Sequence, residues 1–99
     1  MIGYDTISTF SVKTHKSKIS GFKTVNQYQV LSCVGRGTHS KVKKVVDKKS
    51  KKVFAMKILK RKTIEPEILK GLKHLNIVKL YEIIDDPKHH KSYMIMEYH

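Results

Sequence analysis

"VFAMKIL", Val53 to Leu59, is the stretch on which the fold turns. Its β-branched and aromatic residues favour an extended strand, in which alternate side chains share a face. Ala55, Lys57 and Leu59 therefore point one way, and Phe54, Met56 and Ile58 the other. Lys57 is a charge flanked on its own face by a small and an apolar residue. Two readings are open at this point: an edge-strand lysine that discourages aggregation, or a cation aimed into a site.

Upstream, "QYQVLSCVGR" from Gln27 and "SKVKKVV" from Ser40 are also β-prone, and "DKKSKK" makes a polar turn before Val53. Together these segments predict a three-strand meander. Between the first two strands lies "VGRGTHSKV", Val34 to Val42. Gly35 and Gly37 allow close approach of the backbone to a ligand, with amides free to face phosphate oxygens. Taken alone, a glycine pair in a hairpin is most often a turn.

Downstream, Ile64, Ile68 and Leu72 recur at helical spacing within "IEPEILKGLKHL", with Leu69 beside them, which predicts a short amphipathic helix with Pro66 in its first turn. Glu65 falls on the apolar face of that helix. It either pairs with a cation, for which Lys57 is the candidate, or caps the helix ahead of Pro66. "NIVKLYEII" and "YMIMEY" predict two further strands, with "DDPKHHKS" as the turn between them. The expected architecture is α+β: a five-stranded antiparallel sheet with one helix. Residues 1–26, rich in Ser, Thr and Lys, predict a flexible basic arm ahead of a domain over residues 27–99.

The chain of 99 residues carries 21 Lys and Arg against 8 Asp and Glu, a net charge of +13, which favours contact with phosphates, nucleic acid or acidic protein surfaces. Cys33, the one cysteine, excludes an internal disulfide or a CxxC metal site. His89 and His90 sit beside lysines in a turn without ligand spacing, so no metal site is expected. The absence of a long apolar run and of a myristoylation glycine, Ile2 standing in its place, leads to the expectation of a soluble, cytoplasmic protein without membrane contact.

In this order, "VGRGTHSKV", "AMK" ending on Lys57, Glu65 ahead of "ILKGLKHLNIVKLYEIIDD", and "YMIMEY" resemble the N-terminal lobe of a eukaryotic serine/threonine protein kinase. The resemblance covers roughly Gln27 to His99. "NQY", "DDP" and "YM" look most like the calcium/calmodulin-dependent protein kinase kinases. The resemblance implies ATP as cofactor and phosphoryl transfer to protein Ser or Thr. Val34, Gly35, Arg36, Gly37, Thr38, His39 and Ser40 match the phosphate-covering loop, with Ser40 where a third glycine often stands. Val42 and Ala55 match the residues that sandwich adenine, and Lys57 the lysine on the α- and β-phosphates. Glu65 matches its helix partner, Met96 the residue at the back of the pocket, and Glu97 to His99 the start of the hinge. Lys57 and Glu65 are the implied catalytic pair.

Two departures from the family pattern stand out. The connection from Lys57 to Glu65 is shorter than the family's, with Pro66 beside it, and this favours the cap reading of Glu65. The sequence also reaches the hinge without an HRD-type loop or a DFG-type aspartate, so Mg, expected for the full-length family, has no ligands here. These residues alone are therefore expected not to catalyse, and to need a C-terminal lobe as well as a protein substrate. The alternatives are a non-catalytic module docking another kinase or regulator, and a basic nucleic-acid binder supported by net charge alone.

Overall fold

The computed structural model describes residues 6–37, 40–60 and 79–98. Eight strands make one sheet: β1 (Ile7–Thr9), β2 (Thr14–Lys16), β3 (Lys23–Val25), β4 (Tyr28–Arg36), β5 (Ser40–Asp47), β6 (Val53–Lys60), β7 (Leu80–Asp86) and β8 (Lys91–Glu97). Their order across the sheet is β1-β7-β8-β6-β5-β4-β3-β2. The five strands expected from the sequence form the contiguous antiparallel middle, β4 to β8.

The expected five-stranded antiparallel sheet with one helix is thereby corrected on two points. Three further strands come from residues 7–25, within the segment whose composition suggested an arm, and β1 pairs with β7 in parallel, so the sheet is mixed. These strands are three residues long and mostly exposed, too short to show an alternating apolar pattern. Their order comes from backbone pairing and from Val25, which is buried. The described residues contain no α-helix, only a 3-10 turn at Pro87–His89 closed by His90 in the left-handed region (φ 51). The expected helix over "IEPEILKGLKHL" lies outside the described residues.

The sheet is curled. Strands β1 and β2 sit at opposite edges, yet residues 10–13 alone join them. That link reaches less than about 20 Å when extended, whereas a flat eight-stranded sheet separates its edges by over about 30 Å. The curl brings β4 against β7, where the Tyr28 hydroxyl donates to Glu82 Oε1 at 2.5 Å. Thr9 Oγ1 donates to the other carboxylate oxygen, Oε2, also at 2.5 Å. Glu82 is buried, and the two hydroxyls replace the water it would otherwise bind.

Each face of the sheet has its own apolar cluster. Tyr28, Val45, Met56, Ile84, Tyr93 and Ile95 fill the concave side together with Val25, and Phe54 and Ile58 pack against them. Phe54 meets the Tyr28 ring edge-on at 6.1 Å and the Tyr81 ring at 5.1 Å. On the opposite face Leu59, Leu80, Met94 and Met96 form a second cluster. The alternation read from "VFAMKIL" therefore holds: Met56 joins one cluster and Leu59 the other. β8, apolar at consecutive positions, is buried on both faces, which is why "YMIM" reads as a continuous run.

Burial and the bond to Glu82 push the Tyr28 phenol well above its ordinary range; burial, with Asp86 nearby, raises Tyr93 as well. A raised folded-state value means that the folded chain holds its proton where the unfolded chain releases it. The resulting stability is intact below about pH 10 and is lost as the pH climbs beyond it. Unfolding midpoints measured by urea titration are expected to drop steeply above that pH, and Tyr28→Phe is expected to flatten the drop.

Candidate functional site

Strand register decides which of the candidate residues meet. Residues paired across an antiparallel ladder share a face. Val42 lies opposite both Gly35 and Lys57, and Lys57 in turn lies opposite Met94. In the next row Ala55 stands between Lys44 and Met96. Gly35, Val42, Ala55, Lys57 and Met96 thus occupy one face in two adjacent rows, on the side of the Leu59, Leu80, Met94 and Met96 cluster. β6 is an interior strand between β5 and β8, which rules out the edge-strand reading of Lys57. Lys57 and Val42 are half-buried, while Ala55 and Met96 are buried.

The glycine loop closes with the Gly37 amide donating to the Ser40 carbonyl at 2.7 Å. Neither Gly35 nor Gly37 has a positive φ, so space rather than backbone conformation is what glycine supplies here. A Cβ at Gly37 would come within 3.1 Å of Ser40 Oγ, and one at Gly35 would lie 3.9 Å from the Val42 Cβ. Two register shifts between Val30 and Gly35 put β-bulges in β4, which twist the strand just ahead of the loop. Val34 and Arg36 are exposed beside Gly35. Thr38, His39, His99 and Glu65 lie outside the described residues. At the far end, the Glu97 amide donates to the Lys79 carbonyl at 2.9 Å, which fixes the backbone where β8 leaves the sheet.

Lys44 is not among the site residues that the sequence pattern singles out. Register places it on the face of Ala55, and its ammonium sits 5.2 Å over the Tyr98 ring at the exit of β8. The alternation of "KVKKVV", with Val42 and Lys44 two apart, would have revealed it.

Cys33 is exposed, and its thiol is lowered below the ordinary range chiefly by a hydrogen bond with Arg36. The pH midpoint of its alkylation by iodoacetamide is expected below the roughly 8.5 of a free thiol, with Arg36→Ala moving it upward.

Among the described residues no group of three or more His, Cys, Asp or Glu could hold a metal ion. His89 Nδ1 lies 2.8 Å from Asp86 Oδ2, a local contact within the turn. No helix of the described residues is long and apolar enough to cross a membrane.

The face that carries Gly35, Val42, Ala55, Lys57 and Met96 lies within a match of residues 28–99 to the family model described as "Protein kinase domain". The chain belongs to the protein kinase family. It is 32% identical over 108 aligned residues to serine/threonine-protein kinase ssp1 of Schizosaccharomyces pombe, covering 91% of this chain and 17% of that protein. A probable serine/threonine-protein kinase of Dictyostelium discoideum is 34% identical over 107 residues, covering 89% of this chain and 15% of the relative. Human serine/threonine-protein kinase STK11 is 31% identical over 88 residues, covering 77% and 20%. This kinase chain therefore spans a fifth or less of the length of each. The first alignment has 108 positions and the chain 99 residues, so that kinase holds residues which this one lacks.

Proposed function

We propose that residues 27–99 form the ATP-binding half of a protein serine/threonine kinase. The observation that carries the reading is the placement of Val42, Ala55, Lys57 and Met96 on one face beside the glycine loop. Adenine fits between Val42 and Ala55, with Met96 behind it. The loop amides from Val34 to Ser40 cover the phosphates, and Lys57 takes the α- and β-phosphate oxygens as a fixed point charge. Glu97, at the end of β8, begins the hinge that meets the adenine edge, and His99 is assigned to the same hinge on the family match alone. Kinship with the three serine/threonine kinases supports a protein Ser or Thr hydroxyl as acceptor.

Bound ATP supplies the transferable γ-phosphoryl group, and Mg²⁺ neutralises its charge. The described residues offer a fit for the nucleotide but not for the metal, whose ligands belong to a C-terminal lobe. These residues alone then bind nucleotide without transferring phosphate. Glu65, outside the described residues, is assigned the role of a cap or of the partner of Lys57. The residues missing relative to ssp1 fall, on this reading, between Lys57 and Glu65. "NQY", "DDP" and "YM" support a place near the calcium/calmodulin-dependent protein kinase kinases.

The test is transfer of labelled γ-phosphate from ATP and Mg²⁺ to a protein acceptor by a polypeptide that joins these residues to a kinase C-terminal lobe. Label on serine or threonine supports the reading. No transfer, in a preparation that is folded and binds its acceptor, would overturn it.

A further inference from the structure

The concave face of the sheet, opposite Lys57, holds a cavity of about 330 Å³ ringed by Lys23, Lys41, Lys43, Lys60 and Lys91. Its apolar wall is Val25, Val30 and Ile58, and its described lining contains no carboxylate. Four strands bring the lysines together. Lys41 and Lys43 alternate along β5, Lys60 and Lys91 face each other across β6 and β8, and Lys23 comes from β3. Lys23 precedes the residues matched to the kinase model, so the cavity forms where the N-terminal strands close over the kinase sheet. Asp86 is the register partner of Lys91, but His89 engages its carboxylate.

The Lys23 ammonium is held below the usual lysine range, first by burial and then by the charges of Lys91, Lys43 and Lys41. Strand register holds these cations close together at an electrostatic cost, and a multiply charged anion relieves that cost. Gly37 and Ser40 of the glycine loop and Leu59 also line the cavity at its edge, whereas Val42, Ala55, Lys57 and Met96, which carry the nucleotide assignment, do not.

We infer that this cavity is a binding site for a phosphate monoester, with the dianion held by Lys23, Lys41, Lys43 and Lys91 and its carbon body against Val25, Val30 and Ile58. Lysines suit this as mobile point charges, and the volume matches a small ligand rather than a nucleotide triphosphate. The ester has two possible sources, a free small molecule or a phosphorylated side chain of a polypeptide. The inference stands independently of the proposed kinase activity.

Calorimetric titration of the chain with phenyl phosphate at fixed salt tests it. Saturable one-to-one binding is expected, weakened about tenfold or more by Lys41→Ala with Lys43→Ala, retained by Lys41→Arg with Lys43→Arg, and unaffected by Lys57→Ala. Occupancy should also raise the titration midpoint of Lys23, followed by NMR. A peptide carrying phosphotyrosine that binds more tightly than phenyl phosphate identifies a polypeptide source; equal affinity identifies a free ester. Non-saturable binding, equal affinity in the double alanine variant, or loss on Lys57→Ala alone would overturn the inference.

Discussion

Lys57→Ala is expected to lower kcat/KM for phosphoryl transfer by a polypeptide containing these residues roughly 10²–10³-fold, the cost typical of removing one preorganised electrostatic group. Its side chain lies on the face of Val42 and Ala55, away from the Met56, Tyr93 and Ile95 cluster, so the loss should appear in catalysis and not in folding. Stability should stay within about 0.5 kcal/mol of the parent, as for substitutions outside a packed core. Arginine is not an adequate substitute, because its planar fork is bulkier than an ammonium and presents its charge differently. Steady-state kinetics on ATP beside urea unfolding of the same preparations separates the two effects. An alanine variant with normal kinetics would remove Lys57 from the site.

The second large effect concerns the join between the N-terminal strands and the kinase sheet. Thr9→Val with Tyr28→Phe deletes both hydroxyls that donate to the buried Glu82 carboxylate. The shapes change little, but a buried charge loses both donors, which costs about 3–5 kcal/mol. For a domain of this size that is a large fraction of the total stability of about 5–10 kcal/mol. Urea unfolding of the double variant should show it. Adding Glu82→Leu should recover part of the loss, because the unsolvated charge is then gone. If the double variant matches the parent, the carboxylate is not held as described and the sheet is not closed by this contact.

The middle of the fold was legible because its chemistry repeats over several residues. "VFAMKIL" alternates strictly, and its two sets of side chains enter two different clusters. "YMIM" is apolar throughout because β8 has both faces covered. The N-terminal strands were not legible for the opposite reason: with three residues each, they express no period. What orders them is long-range, with Thr9 reaching Glu82 and Thr6 donating to the Leu80 carbonyl at 2.9 Å. Nothing in "TISTF" announces a partner more than seventy residues away. The register shift between Leu80 and Glu82 was equally hidden, and it turns Glu82 to the concave side while Leu80 stays on the other.

At the candidate site, spacing was enough to put Ala55 and Lys57 on one face, but the neighbours of that face needed strand register. Lys44 shows this best: composition reads it as a solvated lysine, whereas the β5–β6 ladder sets it opposite Ala55. The lysines at positions 41 and 43, one residue out of phase, go to the other face and line the lysine-ringed cavity. A single strand thus divides its cations between two anion-attracting surfaces, and the division follows from alternation alone.

That division makes one measurement the most direct test of the account: titration of the ¹⁵N-labelled chain with ATP, followed amide by amide. Binding of about millimolar strength is expected, on the order of 4 kcal/mol, because a single wall buries little of the nucleotide. The shifts should concentrate at Gly35, Gly37, Val42, Ala55, Lys57 and Met96, and Lys57→Ala should abolish them. Shifts confined to Lys23, Lys41 and Lys43, or unchanged by Lys57→Ala, would contradict the assignment of that face to ATP.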